Sequence, residues 1–95
     1  MRFRVEPADD NIHKYVAIFT DDEGKERRTK FGAKGYEDMT IHKNLIRRSQ
    51  YLARHRKNEN WNDMYSPGAL SRWILWDTGS FGANIQRFKR RFNLR

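Results

Sequence analysis

The segment HKYVAIFTDDEGKERRTKF, residues 13–31, constrains the fold more than any other part of the chain. Residues 15–19 are rich in strand-forming side chains, residues 21–24 have the composition of a turn, and residues 27–31 return in extended form. This pattern predicts a β-hairpin. Residues 2–6 alternate charged and apolar side chains up to a proline, which predicts a third strand. We therefore expect a small antiparallel sheet.

A basic helix is predicted after the hairpin, within TIHKNLIRRSQYLARHRKN, residues 40–58. Asp38 or Thr40 can cap its start. At about 100° per residue, one side of this helix is apolar and is expected to pack on the core. That side consists of Ile41, Leu45, Ser49, Leu52 and Ala53. The opposite side is cationic and consists of Lys43, Arg47, Gln50, Arg54 and Lys57.

Two further helices are predicted nearer the end of the chain. One begins at Pro67, with Ser66 as its cap, and Gly79 stops it. The next can be capped by Ser80, and its apolar residues fall within an arc of about 60°; they are Phe81, Ile85, Phe88 and Phe92. This order predicts one α+β domain over residues 1–95, in which a small antiparallel sheet (an N-terminal strand plus a β-hairpin) is followed by three helices packed on one face.

Composition excludes several classes of protein. Aromatic residues make up 14% of the chain and hydrophobic residues 37%, too many for a disordered basic tail. The chain of 95 residues has room for one modest core. Because it has no cysteine, it can form neither disulfides nor a cysteine zinc site. We expect an intracellular protein with no secretion signal and no membrane partner.

The positive charge is confined to one half of the chain. The net charge is +8, and residues 1–38 contain eight basic and nine acidic side chains, a balance of −1. Residues 39–95 contain twelve basic and three acidic side chains, a balance of +9. A field concentrated in this way favours association with nucleic acid, an anionic membrane or an acidic protein.

The main candidate site is a cationic surface on the first and last predicted helices. Phosphates bind such side chains through Coulomb attraction and counterion release. The alternative is a solvated helix face, since Lys and Arg are good helix formers. Residues 39–57 contain no carboxylate, however, and this absence of i,i+4 partners favours an anionic ligand. The candidate residues are Lys43, Arg47, Arg54, Arg56, Lys57, Arg87, Lys89, Arg90 and Arg91.

Two tryptophans are candidates for contacts with a partner. Trp61 can stack on a nucleobase beside the basic residues that end the first helix, or it can cap the core, and the core interpretation is favoured. Trp76 lies off the apolar stripe of its helix and is expected to face a partner protein.

A short glycine loop is a weaker candidate. Lys34 and Gly35, in the sequence GAKG, could offer one amine and backbone N–H groups to a phosphate next to a helix start. The loop lacks the length and the closing GK[ST] of a nucleotide-binding loop. Two glycines are also common in the loop that connects a strand to a helix.

We expect no catalytic site, no metal site and no cofactor. The three histidines lack the spacing of zinc ligands. Asp9-Asp10 and Asp21-Asp22 lie in predicted turns, where Asp is favoured for local hydrogen bonding. Residues 39–95, which we call the helical half, contain three carboxylates, too few for two-metal chemistry.

Three runs of the sequence, FGAKGYEDMTIHK, YLARHRKNENW and SPGALSRWILW, resemble a family of short basic uncharacterised proteins. Large nucleocytoplasmic DNA viruses of algae and protists encode that family. The similarity spans residues 13–92, and GALSRWILW is its most distinctive part. The resemblance implies a viral origin and a location in the virion or the infected cell. It implies no activity and no site residues.

These observations lead to two functional hypotheses. The first is a protein that binds nucleic acid, DNA in particular, without sequence specificity and neutralises packaged DNA. The alternative is a structural or adaptor protein of the virion whose basic surface docks on an acidic viral protein, or which assembles with copies of itself.

Overall fold

The computed structural model describes residues 1–95 and contains one three-stranded antiparallel sheet. The strands pair in chain order, so both the predicted hairpin and the third strand are confirmed. Asp21 and Gly24 close the hairpin turn, and Gly24 has a φ of 85°, which glycine adopts without strain. The strands are β1 (Arg2–Pro7), β2 (His13–Thr20) and β3 (Glu26–Ala33).

One face of the sheet carries the aromatic core. Phe3 lies opposite Phe19 in the β1–β2 register, and its ring centroid is 4.8 Å from that of Phe88 in the last helix. On the other face Ile18 is fully buried between Arg4 and Arg28 in the register. The helices therefore pack on one face, as predicted.

The first predicted helix is two helices rather than one. They are α1 (Met39–His42) and α2 (Leu45–His55). Lys43 adopts a left-handed conformation with a φ of 54°, which ends α1, and the Asn44 side chain then caps α2. Asp38, and not Thr40, caps α1, since its carboxylate accepts a hydrogen bond from the Thr40 backbone N–H.

The break changes which residues of the basic segment are buried. Ile41 is 55% exposed, Leu45 is 68% exposed, and Ser49 and Ala53 are exposed as well, so the predicted apolar side is wrong at every position except Leu52. Tyr51 is the buried residue of α2, and Leu52 packs against the core beside it. The break at Lys43 takes Ile41 out of line with Leu52. Leu45 and Leu52 stay on one side of α2, and Leu45 is exposed because α2 contacts the core through Arg48, Tyr51 and Leu52, beyond its first turn.

The two later helices begin where the sequence predicts. Ser66 caps α3 (Pro67–Leu70), with Pro67 at its first position, and α3 continues into a π-helical turn (Ser71–Leu75). The Trp76 N–H donates to the Ser71 carbonyl oxygen at 3.1 Å, which closes this wider turn. Ser80 caps α4 (Phe81–Arg91).

Asn84 ties α4 to the segment before it. Its buried side-chain amide donates to the carbonyl oxygens of Ile74 at 2.8 Å and Thr78 at 3.0 Å. Its side-chain oxygen accepts from the Thr78 backbone N–H at 3.0 Å. The amide thus fixes the direction of the chain between the π-helical turn and α4.

We predict that Asn84→Ala lowers the free energy of unfolding by about 2–3 kcal/mol, because two carbonyls and one N–H lose their buried partner. Urea denaturation measures the change. Gln86→Ala, at an exposed position of the same helix, is the control and should change the stability by less than about 0.5 kcal/mol. Equal losses for the two variants would contradict this role of Asn84.

Candidate functional site

Side chains on one face of α2 attach this helix to Trp76 and Asp77. Arg48 Nε donates to the carbonyl oxygens of Trp76 at 2.9 Å and Asp77 at 2.8 Å. The Tyr51 ring stacks on the Trp76 ring with centroids 4.1 Å apart and planes 3° apart. Burial, with the negative charge of Glu59, raises the pKa of Tyr51, so its hydroxyl stays protonated.

Trp76 is therefore a core residue, and the prediction that it faces a partner is wrong. Its side chain is buried, and the ring of His42 from α1 also lies against it, with centroids 5.3 Å apart. The periodicity of one helix predicted an outward position, but α1 and α2 pack over Trp76 from a different part of the chain.

Asp77 collects three arginines from three helical segments. Its buried carboxylate lies 2.7 Å from Arg87 Nε, 3.7 Å from Arg72 Nη1 and 3.8 Å from Arg48 Nη2. Burial lowers the pKa of Arg72, and the positive charges of Arg48 and Arg91 lower it further, against the opposing effect of Asp77. The cluster contains one carboxylate and three guanidinium groups, so its net charge is +2.

Two of the nine predicted cations are held by carboxylates. Arg47 Nη1 lies 3.2 Å from a carboxylate oxygen of Glu37, and Arg87 contacts Asp77 as described. The other seven have no carboxylate within 4 Å. These seven, which we call the free cations, are Lys43, Arg54, Arg56, Lys57, Lys89, Arg90 and Arg91.

The scarcity of partners comes from the sequence of the helical half. Of its three carboxylates, Glu59 lies 3.4 Å from His55 Nδ1, Asp63 caps a turn, and Asp77 alone contacts arginines of this half. In the sheet, by contrast, Glu26 lies between Arg4 and Arg28 and contacts both. The unbalanced charge therefore remains on the helical surface.

Tryptophans connect the end of α4 with the loop after α2. The guanidinium of Arg91 lies over the Trp73 ring, 3.5 Å from its centroid, and Trp73 Nε1 donates to the Trp61 carbonyl oxygen at 2.8 Å. Trp61 is half-buried, its Nε1 donates to Glu59 at 3.1 Å, and the Arg72 guanidinium lies 5.3 Å from its ring centroid. These contacts favour a structural role for Trp61.

The glycine loop does not form a phosphate cradle. Lys34 Nζ donates to the Asp10 carbonyl oxygen at 2.6 Å. Gly35 has a φ of 88°, which turns the chain out of β3. The N–H groups that begin α1 are already capped by Asp38, a buried carboxylate that would repel a phosphate, and Lys14 Nζ pairs with it at 2.6 Å.

Sequence reasoning missed the residues that organise this surface, which are Arg48, Arg72 and Asp77. Arg72 offered a signal, because it stands inside the apolar run of GALSRWILW, and a charge in such a run commonly has a buried partner. The structure brings together no group of three or more His, Cys, Asp or Glu side chains that could hold a metal. None of its helices combines the length and the apolar character needed to cross a bilayer.

The fold and site define a small α+β protein with an unbalanced cationic helical surface. The model of a family of unknown function, DUF5754, matches residues 3–55, and the chain belongs to that family. The matched residues contain the sheet, α1 and α2. No curated protein and no solved structure matches the chain.

We predict that Asp77→Asn lowers the free energy of unfolding by about 3–5 kcal/mol, because the substitution leaves three arginines without their counter-ion. Thermal and urea denaturation measure the loss. Asp22→Asn removes the same charge from an exposed turn and should cost less than about 0.5 kcal/mol. Adding Arg72→Met to Asp77→Asn should recover part of the loss. No recovery would show that the loss is not due to buried unpaired charge.

Proposed function

We propose that this protein binds nucleic acid without sequence specificity, through phosphate contacts of the free cations. The observation that carries the proposal is the absence of carboxylate partners around seven basic side chains, which lie at the end of α1, on α2, just after α2 and on α4. A surface with no internal counter-ions gains most from a polyanion, because binding releases condensed counterions from the phosphates.

The Asp77 cluster supports the same proposal. Its excess of two positive charges lies where α2 and α4 are joined, so it adds to the field of both helices. Long, flexible Lys and Arg side chains on a surface contact the phosphates of a nucleic acid. Such contacts do not distinguish one base from another, so the free cations favour binding without sequence specificity. We therefore infer a binding protein and not an enzyme.

The resemblance to proteins of large DNA viruses gives the proposal a biological setting. In that setting the polyanion is DNA, and the protein neutralises it in the virion or in the infected cell. Nucleic acid that co-purifies with the protein and is removed by salt or nuclease would support this setting.

An acidic protein partner is the alternative, and one observation favours it. Ile41, Leu45 and Ile46 are exposed apolar side chains near Lys43 and Arg47 in sequence. Apolar side chains flanked by cations suit an acidic amphipathic partner as well as a solvated surface. Binding of nucleic acid with a strong salt dependence separates the two hypotheses.

We predict that Arg56→Glu combined with Arg90→Glu weakens binding to a duplex about 10- to 100-fold at low salt and reduces the slope of log K against log salt, by about 0.9 for each lost phosphate contact. Fluorescence anisotropy over a salt series measures both quantities.

The matched control is Arg2→Glu combined with Lys25→Glu. It changes the net charge by the same amount, at exposed positions of the sheet half that make no ion pair. The control should leave the affinity within about threefold of the wild-type value, because only long-range repulsion is added. Equal losses in both variants would favour an unspecific effect of net charge, and no binding at low salt would refute the proposal.

A further inference from the structure

A cleft of about 600 Å³ lies between α2, α3 and the adjoining ends of β2 and β3. Its volume is within the range of sites that hold small molecules. Four buried side chains from three segments form its apolar part: Phe31, Tyr51, Leu75 and Trp76. The cleft is thus built on the same Tyr51–Trp76 stack that docks α2.

Most of the titratable side chains that line the cleft contact a group of the opposite type. Lys14 contacts Asp38 at 2.6 Å, Arg47 contacts Glu37 at 3.2 Å, and His55 contacts Glu59 at 3.4 Å. His13 contacts Asp10 at 3.0 Å. Arg54 also lines the cleft and has no carboxylate within 4 Å. Arg54 is therefore the one Lys or Arg of the lining without a carboxylate partner, while the lining as a whole holds three positive side chains (Lys14, Arg47, Arg54) and three negative ones (Glu37, Asp38, Glu59).

Polar groups that make no hydrogen bond within the protein also line the cleft. They are the Gln50 amide, the Tyr51 hydroxyl and the Ser71 hydroxyl. An amide and two hydroxyls can each donate or accept, so they suit a ligand with mixed donors and acceptors on its edge. A nucleobase has such an edge around an apolar ring.

Two exposed apolar side chains also line the cleft. Ile12 is 68% exposed and Tyr36 is 74% exposed, and both belong to its lining. They are two of five large hydrophobic side chains that the chain exposes. Side chains of this kind at the rim of a cleft can cover a flat ring inside it.

We propose that this cleft receives the base of an unpaired nucleotide, while Arg54 binds the adjoining phosphate, so that the protein prefers single-stranded nucleic acid to a duplex. The inference rests on the proposed function, because Arg54 is one of the free cations. Arg54, Arg56 and Lys57 lie close together in the chain, so a strand along them passes the cleft. A base must be unpaired and unstacked before it can leave a duplex, which costs free energy. A single strand has no base pairs to break, so its base enters the cleft at a lower cost.

The experiment compares labelled single-stranded DNA, single-stranded RNA and duplex DNA of equal length by fluorescence anisotropy. The wild-type protein should bind one or both single strands about tenfold more tightly than the duplex. Ile12→Ser combined with Tyr36→Ala should remove most of that preference and leave duplex affinity unchanged. The two single-stranded arms distinguish DNA from RNA.

The matched control is Ile41→Ser combined with Ile46→Ser, which removes two equally exposed apolar side chains away from the cleft and should leave the preference unchanged. A second variant, Gln50→Leu, removes one of the polar groups that the base would contact and should weaken single-strand binding while it leaves duplex affinity unchanged.

The outcomes separate this inference from the proposed function. Equal affinity of the wild-type protein for single strand and duplex overturns the cleft proposal and leaves phosphate binding standing. Equal loss on both ligands in the Ile12/Tyr36 variant overturns it as well. If no nucleic acid binds at low salt, the proposed function fails and the cleft proposal fails with it.

Discussion

The orientation of α2 depends on two side chains, Arg48 and Tyr51, which attach it to Trp76 and Asp77. A helix that stacks one aromatic ring on the core and donates from one guanidinium to two carbonyls cannot rotate about its axis without losing both contacts. Since these residues are three apart, they occupy one face. The α2 part of the cationic surface, the contact of Arg48 with Asp77 and the α2 wall of the cleft follow from the face that α2 turns to the core.

The distribution of carboxylates gives the two halves different surfaces. In the sheet, Arg4 and Arg28 cover Ile18 and share Glu26, so the cations there help to bury an apolar residue. In the helical half, Asp77 is used inside the structure to neutralise arginines that hold the helices together. No acidic side chain lies within 4 Å of the seven free cations, so an anionic ligand would offset their mutual repulsion.

Short stretches of sequence were enough to predict the strands and helices, whereas the arrangement of the candidate site depends on contacts between residues far apart in the chain. The hairpin, the Ser66-Pro67 start and the Ser80 cap each depend on a few neighbouring residues, and all were predictable. The break at Lys43 was not, because lysine rarely adopts a left-handed conformation and nothing in a helical pattern marks it. The burial of Trp76 depends on Tyr51, 25 positions away, and no periodicity carries such information.

The cleft and the α2 part of the cationic surface are consequences of the way α2 packs on the core. With Tyr51 turned toward Trp76, helical geometry directs Arg47, Gln50 and Arg54 to the cleft and leaves Arg56 and Lys57 beside it on the outer surface. Arg54 therefore stands at the boundary between an apolar recess and a row of free cations. Because a nucleotide joins an apolar base to a phosphate, a residue at that boundary can contact the phosphate while the base enters the recess. A polyanion that lacks bases would use only the outer surface, and this difference connects the geometry of α2 to the choice of ligand.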